Sequence, residues 1–244
     1  MYNQMKLFES AADYESFTYT DYQSITDLYT DSIHSMYGMT AGQIRGAKGA
    51  LVEDIVDAIS QLAWHEIGGE ANRFDIRKQT RQIEINEDYV KNLIPEYIRD
   101  HIEENKGKYI YKIELDRAVE IDKKLILGIE CKSYIENAML KRTLKDFELI
   151  VKLLYPKLLF CVFQLENSLG GDYGEVSKQK QLGSTSTHTL LSHTPTVSLE
   201  IITLLNGDRK SNREIHKPEY FKELPIENVA ICVNKFRALF ESFV

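Results

Sequence analysis

A chain of 244 residues, 43% hydrophobic and 27% charged, has a globular composition and the length to bury the core of one large domain, which excludes wholesale disorder. The formal charge of −7 provides no basic envelope that would mark nucleic acid or an anionic membrane as a partner. Residues 1–42, however, hold Glu9, Asp13, Glu15, Asp21, Asp27 and Asp31 against Lys6 alone, so the rest of the chain carries only −2. A few acids gathered in a metal site would leave that remaining surface neutral or basic.

Cys131, Cys161 and Cys232 are far apart, odd in number and set in apolar stretches. They read as buried thiols of a reducing compartment, without a disulfide framework or zinc site. The N-terminal stretch has no apolar signal core and no run approaches a membrane span, so the expectation is a soluble cytoplasmic protein with no membrane partner.

The tyrosine- and acid-rich residues 1–40 predict a helix over Ser24 to Tyr37, a helical cap or alternatively a docking surface. From Gly42 onward Ile44, Ala47, Leu51, Val52, Ile55, Val56, Ile59, Leu62 and Ala63 recur at intervals of three and four, an amphipathic helix ending at Gly68-Gly69. Residues 73–86 alternate weakly and read as a strand or an irregular connection. Asn86 suits an N-cap for a following helix, which Pro95 should bend. In residues 109–134, two runs of β-branched and aliphatic residues flank Asp122-Lys123-Lys124 and predict a β-hairpin.

Glu136 to Leu154 is helical by periodicity, and 157–165 is a nearly continuous apolar run, read as a strand covered on both faces. Residues 166–195 are Gly-, Ser- and Thr-rich and predict a long loop. A strand over 197–205, a polar turn and a helix over Glu227 to Phe243 complete the chain, which shows no internal repeat. The mixture predicts an α/β or α+β sandwich around a central sheet.

The hairpin carries the chemistry. A three-residue loop, Asp122 to Lys124, places Asp116 opposite Glu130 and Glu114 opposite Lys132. Odd positions from Ile113 to Cys131 then form one apolar face, interrupted by Arg117, and the four charged residues share the other. Opposed carboxylates repel and raise one another's pKa, so something cationic is expected between them. Lys132 supplies part of it. A hard divalent cation, Mg²⁺, supplies the rest, using the Asp116 and Glu130 oxygens and the backbone carbonyl of Cys131 while keeping waters. Such an ion polarises a phosphodiester, and Lys132 orients the attacking water or takes its proton once metal and burial depress the amine's pKa.

Asp116, then Glu130-Cys131-Lys132, preceded by LILGI and followed by Ser133-Tyr134 and a helix, resemble the PD-(D/E)XK nuclease superfamily, and ECKSY with AMLKRTLKDFELI is most similar to type II restriction endonucleases. The resemblance covers about half the chain. It implies a restriction-endonuclease-like mixed central β-sheet flanked by α-helices, and Mg²⁺-dependent cleavage of double-stranded DNA at a specific sequence. Asp116 and Glu130 match the metal ligands, Lys132 the lysine of the motif, and Glu53 in ALVEDIV the additional glutamate near the metals. Leu115 stands where the motif has proline, and Asp122 competes with Asp116 but lies in the predicted turn. The implied organisation is an acidic helical segment over 1–42, a nuclease core over 43–165, and a DNA-recognition loop with a strand and helix over 166–244 completing the same domain. A double-strand cut implies a homodimer, and a restriction enzyme implies a cognate DNA methyltransferase as genetic partner.

DNA affinity in an acidic protein must come from local groups. Candidates are Arg45 and Lys48 near the start of the first long helix, Lys141, Arg142 and Lys145 after the motif, Lys178 and Lys180 in the loop, and Arg209, Lys210 and Arg213 in the last polar turn. Asn167, Gln179, Gln181, Ser184, Thr185, Ser186, Thr187 and His188 offer groups that pair with base edges. Each has the alternative of ordinary surface chemistry, and His188 and His193 read as loop histidines. Two rival functions are a repair or recombination nuclease, or the cleavage subunit of a heteromeric one, and a non-catalytic DNA-binding module.

Overall fold

The computed structural model describes residues 19–167, 185–208, 214 and 216–244. Lys178, Lys180, Gln179, Gln181, Ser184, Arg209, Lys210 and Arg213 lie outside the described residues. The chain begins with α1 (Tyr19–Ser35) and α2 (Ala41–Glu66). Helix α2 starts where the Thr40 side chain accepts from the Gln43 amide and the Gln43 side chain accepts from the Thr40 amide, a capping box. It stops before Gly68, which turns the chain at φ +82°. Between these signals the three- and four-residue apolar spacing buries Ile44, Leu51, Val52, Ile55, Val56 and Ile59.

Strand β1 (Phe74–Glu84) settles residues 73–86 as a strand. The helix expected from Asn86 is two short ones, α3 (Glu87–Lys91) and α4 (Glu96–Glu104). Pro95 ends the intervening break and is the N-cap residue of α4, so it separates the helices instead of bending one. Strands β2 (Ile110–Ile121) and β3 (Lys124–Lys132) form the predicted hairpin, followed by α5 (Asn137–Leu153) and β4 (Leu159–Asn167). Helix α6 (Thr185–Ser192) lies inside the stretch expected to be loop. Its hydroxyl-rich composition reads as loop because such side chains compete for backbone hydrogen bonds, but Leu190 and Leu191 pack against the core and fix the helix. Strand β5 (Ser198–Asp208) and α7 (Ile226–Phe240) complete the fold.

The five strands form one mixed sheet in sequence order, antiparallel from β1 to β3 and parallel from β3 to β5. Helices α1, α2 and α7 build the larger core on one face, where Trp64, Phe74 and Phe240 meet ring to ring. Helix α5 covers the other face, with Phe147 stacked on Phe160 at 3.9 Å between ring centroids. Cys131, Cys161 and Cys232 are buried free thiols. Among the described residues no helix is long and apolar enough to cross a membrane.

The hairpin differs from the expectation in two places. Its turn is the two-residue Asp122-Lys123, both at positive φ (51° and 62°), and not a three-residue loop. A bulge at Ile126 then restores the expected register, so Arg117 faces Ile129 and Ala118 faces Gly128. The second difference is a bulge in β2 itself. Arg77 pairs with Ala118 and Gln79 with Leu115, so Asp116 and Arg117 together oppose Lys78 alone. The extra residue shifts the alternation: Ile113, Leu115 and Ala118 enter the core under α5, while Val119 and Ile121 enter the core under α2. The single apolar face expected along the odd positions is therefore divided at Asp116.

Candidate active site

Three of the predicted site residues come together at the end of the β2–β3 ladder, where the bulge in β2 redirects the chain. Lys132 Nζ lies 2.6 Å from Glu130 Oε1 and 3.3 Å from Asp116 Oδ2. Asp116 Oδ2 also accepts a hydrogen bond from the Cys131 amide at 2.8 Å. Glu130 and Lys132 are two positions apart on β3 and so project to one side, and β4 holds them from the other flank through the Glu130–Val162 and Lys132–Gln164 pairings. All three side chains are partly exposed, which keeps the group open to a ligand. Glu114 is not part of it: its carboxylate stands in an exposed pair with Lys78 at 2.8 Å.

Asp122, the alternative to Asp116, sits in the turn, where the Arg73 guanidinium grips both its oxygens at 3.0 and 2.9 Å. No pairing brings it toward Glu130. Glu53 stands on α2, which packs on the sheet face opposite α5, and its Oε2 accepts from Arg117 Nη1 at 2.8 Å. Among the described residues no three His, Cys, Asp or Glu side chains gather into a metal-binding group. What the structure assembles is a carboxylate pair, Asp116 and Glu130, close enough to share one cationic group.

A protein from Desulfomicrobium norvegicum, Type II restriction enzyme DdeI, is 42% identical over 193 residues, which cover 79% of this chain and 80% of that relative. The chain belongs to the type II restriction enzyme family. No family model matches it. No solved structure matches it either.

Electrostatics at this candidate site follow from burial and proximity. Burial pushes the Glu130 carboxyl up, Lys132 and Arg142 pull it down, and Asp116 adds to the rise, leaving it above the ordinary glutamate value. Burial works against the Lys132 ammonium, but Glu130 and Asp116 outweigh it and hold the lysine above its ordinary value. Without an added cation, then, Lys132 is held protonated by its two carboxylate neighbours.

The DNA-contact candidates divide. Arg45, Lys141 and Arg142 are exposed. Lys48 is not: only 1% of its side chain is accessible, and its Nζ is 3.1 Å from the equally buried Glu166 and over the Phe221 ring. Its place on the inward face of α2, one turn after Ile44, decides this, and it cannot reach a phosphate from there. Thr187 is likewise turned inward, donating to Asn137 Oδ1 at 3.0 Å at the start of α5.

Two residues of this restriction enzyme were undervalued in sequence. Gln164, fully buried beside Lys132, accepts from the Ile135 amide at 3.1 Å and donates to Thr203 Oγ1 at 2.9 Å, fixing the link from β3 to α5. Its signal was an amide inside the apolar run KLLFCVFQL, where an unpartnered polar group would be costly. Arg117 looked like a defect in an apolar face; it is 8% exposed and bonds to Glu53, Asp57 and the Asp116 carbonyl.

Proposed function

We propose that this protein is an Mg²⁺-dependent endonuclease of the PD-(D/E)XK type that hydrolyses phosphodiester bonds in double-stranded DNA at a specific sequence. The observation that carries the reading is the Lys132 ammonium within hydrogen-bonding reach of both Asp116 and Glu130, in a chain that belongs to the type II restriction enzymes. Because one ammonium touches both carboxylates, the pair also suits a single small hard cation, which takes one or two carboxylates and completes its shell with waters. Asp116, Glu130 and the Cys131 carbonyl would hold it, with Glu53 as an outer carboxylate. When bound, the ion would supply Lewis-acid polarisation of the phosphodiester and offset its charge.

The chain's own groups do the rest. Asp116 and Glu130 fix Lys132 Nζ at the mouth of the site. That ammonium donates to the attacking water or a phosphate oxygen, orienting the first and stabilising negative charge on the second. Arg142, close enough to lower the Glu130 pKa, adds positive potential beside the strand end, and Arg45 and Lys141 extend the surface available to phosphates. Two strands must be cut, so a homodimer presenting two such sites is the expected assembly, with a DNA methyltransferase protecting host sequence.

The test is digestion of phage-sized DNA with and without Mg²⁺. Discrete fragments that vanish in Glu130→Ala support the reading. Smears or nicks favour a repair or recombination nuclease. If Mg²⁺ neither promotes cleavage nor raises the wild-type melting temperature relative to Glu130→Ala, the proposal fails.

A further inference from the structure

Arg117 occupies a position that the ion-binding reading leaves unused. It is the second residue of the β2 bulge, next to Asp116, and its side chain points toward α2. Nε donates to Asp57 Oδ1 at 2.6 Å, and Nη1 donates both to Glu53 Oε2 and to the Asp116 backbone carbonyl, each at 2.8 Å. The two acids lie one turn apart on α2, so the planar guanidinium is fastened to the helix at two points. It then reaches back to the peptide that carries the candidate ligand. Burial alone disfavours the Arg117 charge, but Asp57 and Glu53 outweigh it and keep the guanidinium charged.

We infer that Arg117 is a positioning residue: its guanidinium, braced on α2 by Asp57 and Glu53, holds the Asp116 carbonyl at the bulge and thereby aims the Asp116 carboxylate at the Cys131 amide and Lys132. A bulge re-aims a side chain only as well as its backbone is pinned, because the unpaired residue has lost its ladder hydrogen bonds. Here the pin is a side chain from the bulge itself. The geometry depends on a fork with fixed angles, which lysine cannot reproduce despite carrying the same charge. The part of the inference that concerns cleavage rests on the endonuclease reading; the aiming of Asp116 does not.

The experiment compares wild type with Arg117→Lys, Asp57→Asn and Asp116→Asn, without metal or DNA, by site-resolved amide hydrogen exchange. The Cys131 amide reports Asp116 directly because Asp116 Oδ2 is its acceptor. The expected result is faster exchange at Cys131 in Arg117→Lys and Asp57→Asn, approaching Asp116→Asn, with Leu127 and Ile129 unchanged. In parallel, Arg117→Lys is expected to lower the cleavage rate constant by about 10–100-fold, the usual effect of losing a group that orients a metal ligand, at unchanged DNA affinity. Unchanged Cys131 exchange in both variants overturns the inference, and an exposed Cys131 amide in an Arg117→Lys enzyme that cleaves at the wild-type rate overturns the part of it that concerns cleavage. If Arg117→Lys does not fold, Asp57→Asn decides by the same amide. A wild-type protein that cuts no DNA with Mg²⁺ sinks the endonuclease reading instead, and the amide measurement still judges the aiming of Asp116.

Discussion

Lys132 and Glu130 are joined across one turn of the β pleat, with Nζ 2.6 Å from Oε1. Each conditions the other: the carboxylate keeps the lysine protonated, and the lysine restrains the rise that burial imposes on the carboxyl. Lys132→Ala should therefore abolish Mg²⁺-dependent cleavage while duplex affinity, measured by fluorescence anisotropy without Mg²⁺, stays near that of wild type. Retained cleavage would remove the lysine from the chemistry.

The two competing aspartates make a sharp comparison. Asp116→Ala deletes the acceptor of the Cys131 amide and one partner of Lys132, and should eliminate cleavage. Asp122→Ala loses only a solvent-exposed grip by Arg73 at the turn and should cut at close to the wild-type rate. Gel assays under identical Mg²⁺ would show the reverse order if the ligand were at the turn.

Lys48 and Glu166 form a pair in which each side chain is 1% exposed. Removing one partner leaves the other's buried charge less compensated, so Lys48→Met should cost about 3–5 kcal/mol in urea unfolding. The value should fall toward the lower end because Lys222 Nζ lies 3.9 Å from Glu166 Oε2. The double replacement with Glu166→Met should recover most of the loss. A minor effect of Lys48→Met would mean that the pair is hydrated in solution.

Gly128 pairs with Ala118 in the hairpin, directly beneath the stacked Phe160. A Cβ there would meet the Phe160 ring at 3.1 Å and Leu115 Cδ1 at 3.3 Å. Gly128→Ala should thus destabilise the protein by about 1–3 kcal/mol through overpacking, read as a lower melting temperature.

Arg142 and Lys48 should separate in DNA binding as they do in space. Arg142→Ala should weaken binding across sequences and reduce the slope of log affinity against log salt by about one, as loss of a phosphate contact does. Lys48→Met, assayed below its melting range, should leave that slope unchanged. Equal slopes for wild type and Arg142→Ala would remove Arg142 from the interface.

Much of the fold was legible because its signals are periodic. The spacing from Ile44 to Ala63 fixed α2, and the two aliphatic runs around Asp122 fixed the hairpin. The register beside Asp116 was also readable, although for an incomplete reason: the turn is one residue shorter than expected, and the Ile126 bulge compensates. The Asp116–Arg117 bulge was not readable, since an extra residue changes which face a side chain occupies without changing composition or length. Lys48 failed differently. A lysine near a helix start suggests a phosphate contact, and only the three-dimensional approach of Glu166, from a strand 118 positions later, turns it inward.

The sheet order leaves one long margin of β1 without a neighbouring strand among the described residues. That margin carries Arg77, Lys78 and Arg81, and the bulge beside Lys78 interrupts its regularity. Cations and an irregular outline are gatekeepers against strand-to-strand propagation. A second copy is thus discouraged from extending the sheet through β1.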